Sequence, residues 1–263
     1  RAGGESIGFS VLGKARKTTD GFSEEIQSVI QHCLDFLEEH GEHATTDVLE
    51  IKLPEEAVQA NDTSMLEELL AETARSVGAH AQLPDSVFYE VVLNESWQKD
   101  LETAITAISN HNTSDTGVYS SYSYAGFKLR CGGVEASMFP SPGQIAHALN
   151  TARDYEVPVK CTAGLHHPVR HFNGSVQTKM HGFFNVFGGA ILTHVHDLSD
   201  EAFVEILREE DPEQFTFSDE SFSWNDLAVA TSDIKKLRAT ALISYGSCSF
   251  DEPREDLKKL GLL

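Results

Sequence analysis

Six short apolar runs, set apart by amphipathic stretches, constrain the fold of this chain more than any other feature. The runs are Ile7–Leu12, Val48–Leu53, Val87–Leu93, Gly126–Cys131, Val157–Thr162 and Leu242–Phe250. All are of strand length and bounded by turn-forming or helical sequence. Between them, residues 23–39 place Ile26, Val29, Ile30, Cys33, Leu34 and Leu37 at helical spacing, with Ser23 as the N-cap. Ser64 to Glu67 reads as a capping box opening a second helix, and residues 96–109 read as a third. Ser141-Pro142 places a cap before a proline at the first position of a helix that reaches Tyr155. Residues 181–196, 200–210 and 231–240 complete the helical set.

Strands alternating with helices predict an α/β fold with a parallel sheet covered on both faces. At 263 residues the chain has the length of one (β/α)8 barrel, and the expectation is a single TIM-like barrel over residues 1–263. Six runs fall short of the eight that close such a barrel, so it is expected to be incomplete or irregular. Phe215–Phe217 and Gly117–Tyr124 are the candidates for the remaining strands. An open doubly wound sheet is the alternative, but no GxGxxG follows the first run to support a dinucleotide fold.

Side chains alternate faces along a strand, and here the alternation separates apolar from ionisable residues. Leu49, Ile51 and Leu53 oppose Glu50 and Lys52; Val87, Tyr89, Val91 and Leu93 oppose Glu90. Phe127, Leu129 and Cys131 oppose Lys128 and Arg130, and Val157, Val159 and Cys161 oppose Lys160 and Thr162. If the apolar faces meet helices, Glu50, Lys52, Glu90, Lys128, Arg130 and Lys160 converge inside. Burying such groups is costly unless they pair or meet a ligand, so this pattern points to an active site. The plainer alternative is a sheet with its polar face in water.

The chain carries 20 Lys+Arg against 41 Asp+Glu, a net charge of -21, which repels nucleic acid and anionic lipid surfaces. Residues 126–181 reverse that balance, with six basic and three acidic residues and five of the twelve histidines. This island suggests a local site for an anion. Four cysteines stand apart with no CxxC pair, giving neither a zinc ribbon nor a disulfide framework. No run has the length of a membrane span and no secretory pattern opens the chain, so the expected compartment is cytoplasmic. The chain begins at Arg1 and not at Met, which leaves residues before Arg1 open. A homo-oligomer is equally open.

His166, His167, Arg170 and His171 fall in a loop expected to leave the carboxyl end of a strand, and His181 opens the next helical stretch. Such imidazoles hold anions, move protons or bind metal, although HHP lacks the spacing of HExxH and no metal ligand set is assigned. Gly246-Ser247-Cys248-Ser249 precedes a further helix near Glu252-Pro253, which marks Ser247 and Ser249 as substrate-binding candidates. Asp251 or Glu252 as a helix cap is the plainer reading of that turn. Cys248 lacks an identified base and reads as a packed thiol.

The runs FKLRCGG (127–133), VKCTAGLHHPVRH (159–171), MHGFFNVF (180–187) and YGSCSFDEP (245–253), with the tail DLKKLGLL (256–263), resemble a family of uncharacterised bacterial proteins. That resemblance covers roughly the C-terminal half and implies no activity. Lys160-Cys161-Thr162-Ala163-Gly164 is locally similar to the K-T-S-T-G strand of deoxyribose-phosphate aldolases, with Cys161 and Ala163 replacing two hydroxyl residues. The similarity implies a Schiff-base role for Lys160 in a TIM barrel; a structural cation paired with Glu90, or one bound to a substrate carboxylate, is the equal alternative for this lysine. The expectation is therefore a lyase or isomerase acting on a small anionic carbonyl compound without a cofactor. Lys160, Lys128, Glu90 and His166 are its catalytic candidates. Glu50, Lys52, Arg130, Thr162, His167, Arg170, His171, His181, Ser247 and Ser249 are its substrate-binding candidates. Two alternatives stand beside it: a metal-dependent hydrolase or lyase using His166, His167, His171 and His181, and a non-catalytic barrel that binds a small anion.

Overall fold

A computed structural model describes residues 6–14, 16–84, 86–114 and 124–263. The chain divides into two compact units, residues 1–128 and 129–263, and its fold is α/β.

The first unit runs β1 (Ile7–Leu12), α1 (Phe22–His40), β2 (Ala44–Lys52), α2 (Glu55–Gln59), α3 (Thr63–Gly78), β3 (Ser86–Glu90), α4 (Trp97–Thr113) and β4 (Tyr124–Arg130). The last two residues of β4 belong to the second unit. β1 pairs with β2, β2 with β3 and β3 with β4, all in parallel. Both faces of the inner strands are covered. Leu49, Ile51, Val87, Tyr89 and Phe127 are buried on one face, while Glu50, Phe88, Gly126 and Lys128 are buried on the other. The polar face therefore does not look into water. α3 packs on both α1 and α4, contributing Leu66 and Leu70 beside Leu101, Ile105 and Ile108 of α4. Each such side chain stabilises the unit by about 1.5–3 kcal/mol relative to exposure.

Two helix starts differ from expectation. α1 begins after Gly21, at φ 72°, and not at a Ser23 cap, because the left-handed turn positions Phe22 for burial. α3 is capped by Asp62, whose carboxylate accepts from Ser64 N and Met65 N. A carboxylate two residues earlier displaces the Ser64 box.

The second unit continues with α5 (Pro142–Asp154), β5 (Val159–Thr162), β6 (His171–Asn173), β7 (Thr178–Met180), α6 (Gly189–His196), α7 (Asp200–Arg208), β8 (Phe215–Phe217), β9 (Ser221–Trp224), β10 (Leu227–Ala230), α8 (Thr231–Thr240), β11 (Leu242–Tyr245) and α9 (Asp251–Lys259). Ser141 caps α5 through the expected box with Gln144. The helix expected over 181–196 is instead a π-helical turn at Phe184–Gly188 followed by α6. At Gly188 and Gly189 an added Cβ would lie 2.5 Å from Phe222 and 2.6 Å from Phe203, so aromatic packing requires both glycines.

β5 and β11 are parallel partners, whereas β6 and β7 form one antiparallel hairpin and β8, β9 and β10 form a separate antiparallel sheet. Phe215–Phe217 is thus a strand, but of that small sheet; Gly117–Ser123 lies outside the described residues. Among the described residues, β1 and β11 each have one strand neighbour, and the parallel strands number six. The described residues therefore form no closed eight-stranded barrel. No helix among the described residues is long and apolar enough to cross a membrane.

Candidate functional site

The first unit contains a buried charge trio. Register places Glu90 of β3 opposite Lys128 of β4, and Lys128 Nζ lies 2.8 Å from Glu90 Oε2 and 2.7 Å from Glu50 Oε2. Ser10 Oγ donates to Glu50 Oε1 at 2.6 Å. The three side chains are only 6%, 13% and 5% exposed, in the order Lys128, Glu90, Glu50. Lys52 sits apart, half-buried, with Nζ 3.9 Å from Glu55.

In the second unit the carboxyl ends of three strands meet. Cys131 N donates to Thr162 O at 2.7 Å, and Gly246 N donates to Cys161 O at 2.8 Å, which aligns the ends of β4, β5 and β11. Ligands in parallel α/β sheets bind beyond these carboxyl ends. Lys160 is 9% exposed on β5. Thr162 closes that strand, and its buried hydroxyl has no hydrogen-bond partner among the described residues. Ala163 and Gly164 follow at φ 62° and φ 73°, a left-handed pair that turns the chain sharply. For alanine this conformation is strained, and strain of this kind is concentrated at functional loops. Arg130 is exposed at the end of β4, with Nε donating to Gly132 O at 3.0 Å.

The turn delivers His166 to the loop after β11. His166 Nδ1 is 3.0 Å from Glu252 Oε2 and 3.1 Å from Ser247 Oγ. Cys248 Sγ lies 3.5 Å from His166 Nε2 and 3.9 Å from Nδ1. Ser247 Oγ donates to Ser249 O at 2.8 Å, and Ser249 Oγ accepts from Glu252 N at 3.1 Å. Cys248 is exposed, whereas Cys33, Cys131 and Cys161 are buried. A hydrogen bond with Cys131, together with burial, pushes the Cys161 thiol up; burial does the same to Cys33.

The remaining candidates form a second, more enclosed group in the same unit. His167 Nδ1 hydrogen-bonds Asp256 Oδ2, and its ring stands edge-on to His171 at 4.0 Å between centroids. Burial and then the neighbouring His171 lower the His167 pKa to about 4, so near neutral pH it is uncharged and donates Nδ1–H to the carboxylate. His171 Nδ1 bonds Val169 O at 3.2 Å. His181 Nε2 donates to Pro140 O at 2.7 Å and its Nδ1 accepts from Arg170 NH1 at 3.0 Å. With both nitrogens engaged and a pKa lowered by burial to about 4, His181 holds the loop in place. Arg170 N also donates to Asn185 Oδ1 at 2.9 Å.

Of the six charged groups expected in one interior, Glu50, Glu90 and Lys128 are joined in the first unit, Lys52 of the same unit pairs instead with Glu55, and Arg130 and Lys160 belong to the second. Cys248 and Glu252 are the additions. The sequence marks both, but their link to His166 spans more than eighty residues and has no local signature. Among the described residues, no group of three or more His, Cys, Asp and Glu side chains is arranged to hold a metal ion. No family model matches the chain, and no curated protein or solved structure matches it.

Proposed function

We propose that the protein is an enzyme of lyase or isomerase type acting on a small anionic carbonyl compound, with Lys160 as its nucleophile. The observation that carries the proposal is Lys160 buried on β5, two residues before the unsatisfied Thr162 hydroxyl that ends the strand and close to the loop that holds His166. A lysine amine attacks carbonyl carbons to form imines. The amine would add to the substrate carbonyl carbon and water would leave, giving an imine. The imine withdraws electrons from the adjacent carbon, and His166 would take a proton there. Arg130, exposed at the end of β4, would grip the substrate carboxylate or phosphate as a planar fork.

Support also comes from the local likeness of Lys160 to Gly164 to the Schiff-base strand of deoxyribose-phosphate aldolases. The open parallel sheet is read as an incomplete relative of the (β/α)8 barrel, which likewise places its chemistry at carboxyl strand ends. The Glu50–Lys128–Glu90 trio is assigned to function separately. Burying three ionisable side chains stabilises a sheet no better than apolar residues of similar size, which favours a chemical role for them.

Deuterium exchange at C3 of pyruvate, read by proton NMR, tests the reading. Exchange accelerated by the protein and lost in Lys160→Gln is expected. Equal exchange in Lys160→Gln removes Lys160 from the chemistry.

A further inference from the structure

We infer that Cys248 is a nucleophilic thiol served by His166 and Glu252, and that it takes acyl groups from small activated esters or thioesters. The inference stands independently of the role of Lys160.

The proton inventory around His166 carries it. Ser247 Oγ donates its only proton to Ser249 O, so toward His166 Nδ1 it is an acceptor. Glu252 Oε2, 3.0 Å from the same nitrogen, is also an acceptor. Two acceptors at Nδ1 place the ring proton there, which leaves the lone pair on Nε2. That is the nitrogen nearer the Cys248 sulfur, at 3.5 Å against 3.9 Å to Nδ1, a pair of distances that sets the sulfur over the ring, so a turn of the exposed Cys248 side chain brings it onto the Nε2 lone pair. Nucleophile, base and orienting carboxylate therefore follow in the order that covalent catalysis needs. Ser247 is excluded as the nucleophile because its proton is committed elsewhere. The three other cysteines are buried, so none offers a resolving thiol for disulfide chemistry; acyl transfer requires no oxidant.

In the step, the Cys248 thiol proton passes to His166 Nε2 as Sγ bonds to the acyl carbon. The bond from that carbon to the leaving oxygen or sulfur breaks, and the leaving group takes the proton from Nε2. Water, deprotonated by the same nitrogen, then cleaves the thioester to a carboxylic acid and restores the thiol. Glu252 is a positioning residue, since it holds Nδ1–H and stabilises the imidazolium without touching the substrate.

The test uses the full chain with p-nitrophenyl acetate, following the nitrophenolate burst and the acetylated peptide by mass spectrometry. A burst with acetyl on Cys248 is expected, absent in Cys248→Ser, whose exposed position makes misfolding no explanation. His166→Gln should slow acylation roughly a hundredfold. Glu252→Gln should slow it roughly tenfold at saturating probe while leaving the half-saturating concentration unchanged, which mere loosening of the loop would not do. Acetyl on Ser247 or Lys160 in place of Cys248, no adduct at all, or equal rates in wild type and His166→Gln would each overturn the inference. Only the Lys160 outcome bears on carbonyl chemistry, so failure of one reading is distinguishable from failure of the other.

Discussion

Lys128 Nζ lies 2.7 Å from Glu50 Oε2 although the two residues belong to strands separated by β3. The long ammonium side chain crosses the intervening strand because Glu90, its direct neighbour in register, supplies the second carboxylate. The trio is held by mutual attraction in a place water scarcely reaches. Lys128→Met would leave two carboxylates buried together, and the expected loss is about 3–5 kcal/mol in urea unfolding. A loss under about 1 kcal/mol, the range of exposed pairs, would show that the lysine is not buried in solution.

Gly126 fits against the Phe88 ring on the same face. A Cβ there would lie 2.4 Å from Phe88 Cε1, closer than any real contact. Gly126→Ala is expected to cost about 1–3 kcal/mol by overpacking, with part recovered when Phe88→Leu is added. Wild-type thermal stability in the single variant would contradict the register of β3 on β4.

His181 predicts an acid limb of stability. Burial first, then the charge of Arg170, lower its pKa, against the Pro140 carbonyl, from 6.5 to about 4. The unfolded chain therefore takes up the proton at higher pH than the folded one. The stabilisation from His181 is complete above pH 6.5 and declines as pH falls toward about 4, by roughly 3 kcal/mol in all. His181→Gln retains a donor for Pro140 O and an acceptor for Arg170 but has no proton to gain. Its stability should fall less over that range in pH-dependent unfolding, and a parallel decline in both proteins would contradict the assignment.

Four strands were legible because each alternates an apolar face with one that carries ionisable residues, whereas β1, which has no ionisable residue, was legible as a short apolar run whose bounds it matches. Closure was not legible. Whether Phe215–Phe217 extends the parallel sheet or pairs with Ser221–Trp224 depends on partners that a three-residue strand does not encode. Helix starts shifted where a neighbouring residue offered a better terminus, as Asp62 does for α3. Lys160 was marked as a candidate by the alternation of its strand and His166 by its place in the loop that follows. Cys248 was not, because its base arrives from a loop more than eighty residues earlier in the chain, brought there by parallel pairing of β5 and β11.

Arg130 provides a test of substrate charge. Arg130→Lys keeps the charge and removes the bidentate fork, so affinity for a 2-oxo acid should weaken about tenfold. Isothermal titration with pyruvate measures this, and unchanged affinity would place the carboxylate elsewhere.

The central claim is an imine at Lys160. The direct measurement is sodium borohydride reduction of the full chain in the presence of pyruvate, followed by peptide mass spectrometry. A reduced, stable adduct on the peptide containing Lys160, absent in a folded Lys160→Arg variant, is the predicted result. A chain that accelerates exchange at C3 of pyruvate yet shows no adduct on Lys160 after reduction would contradict it.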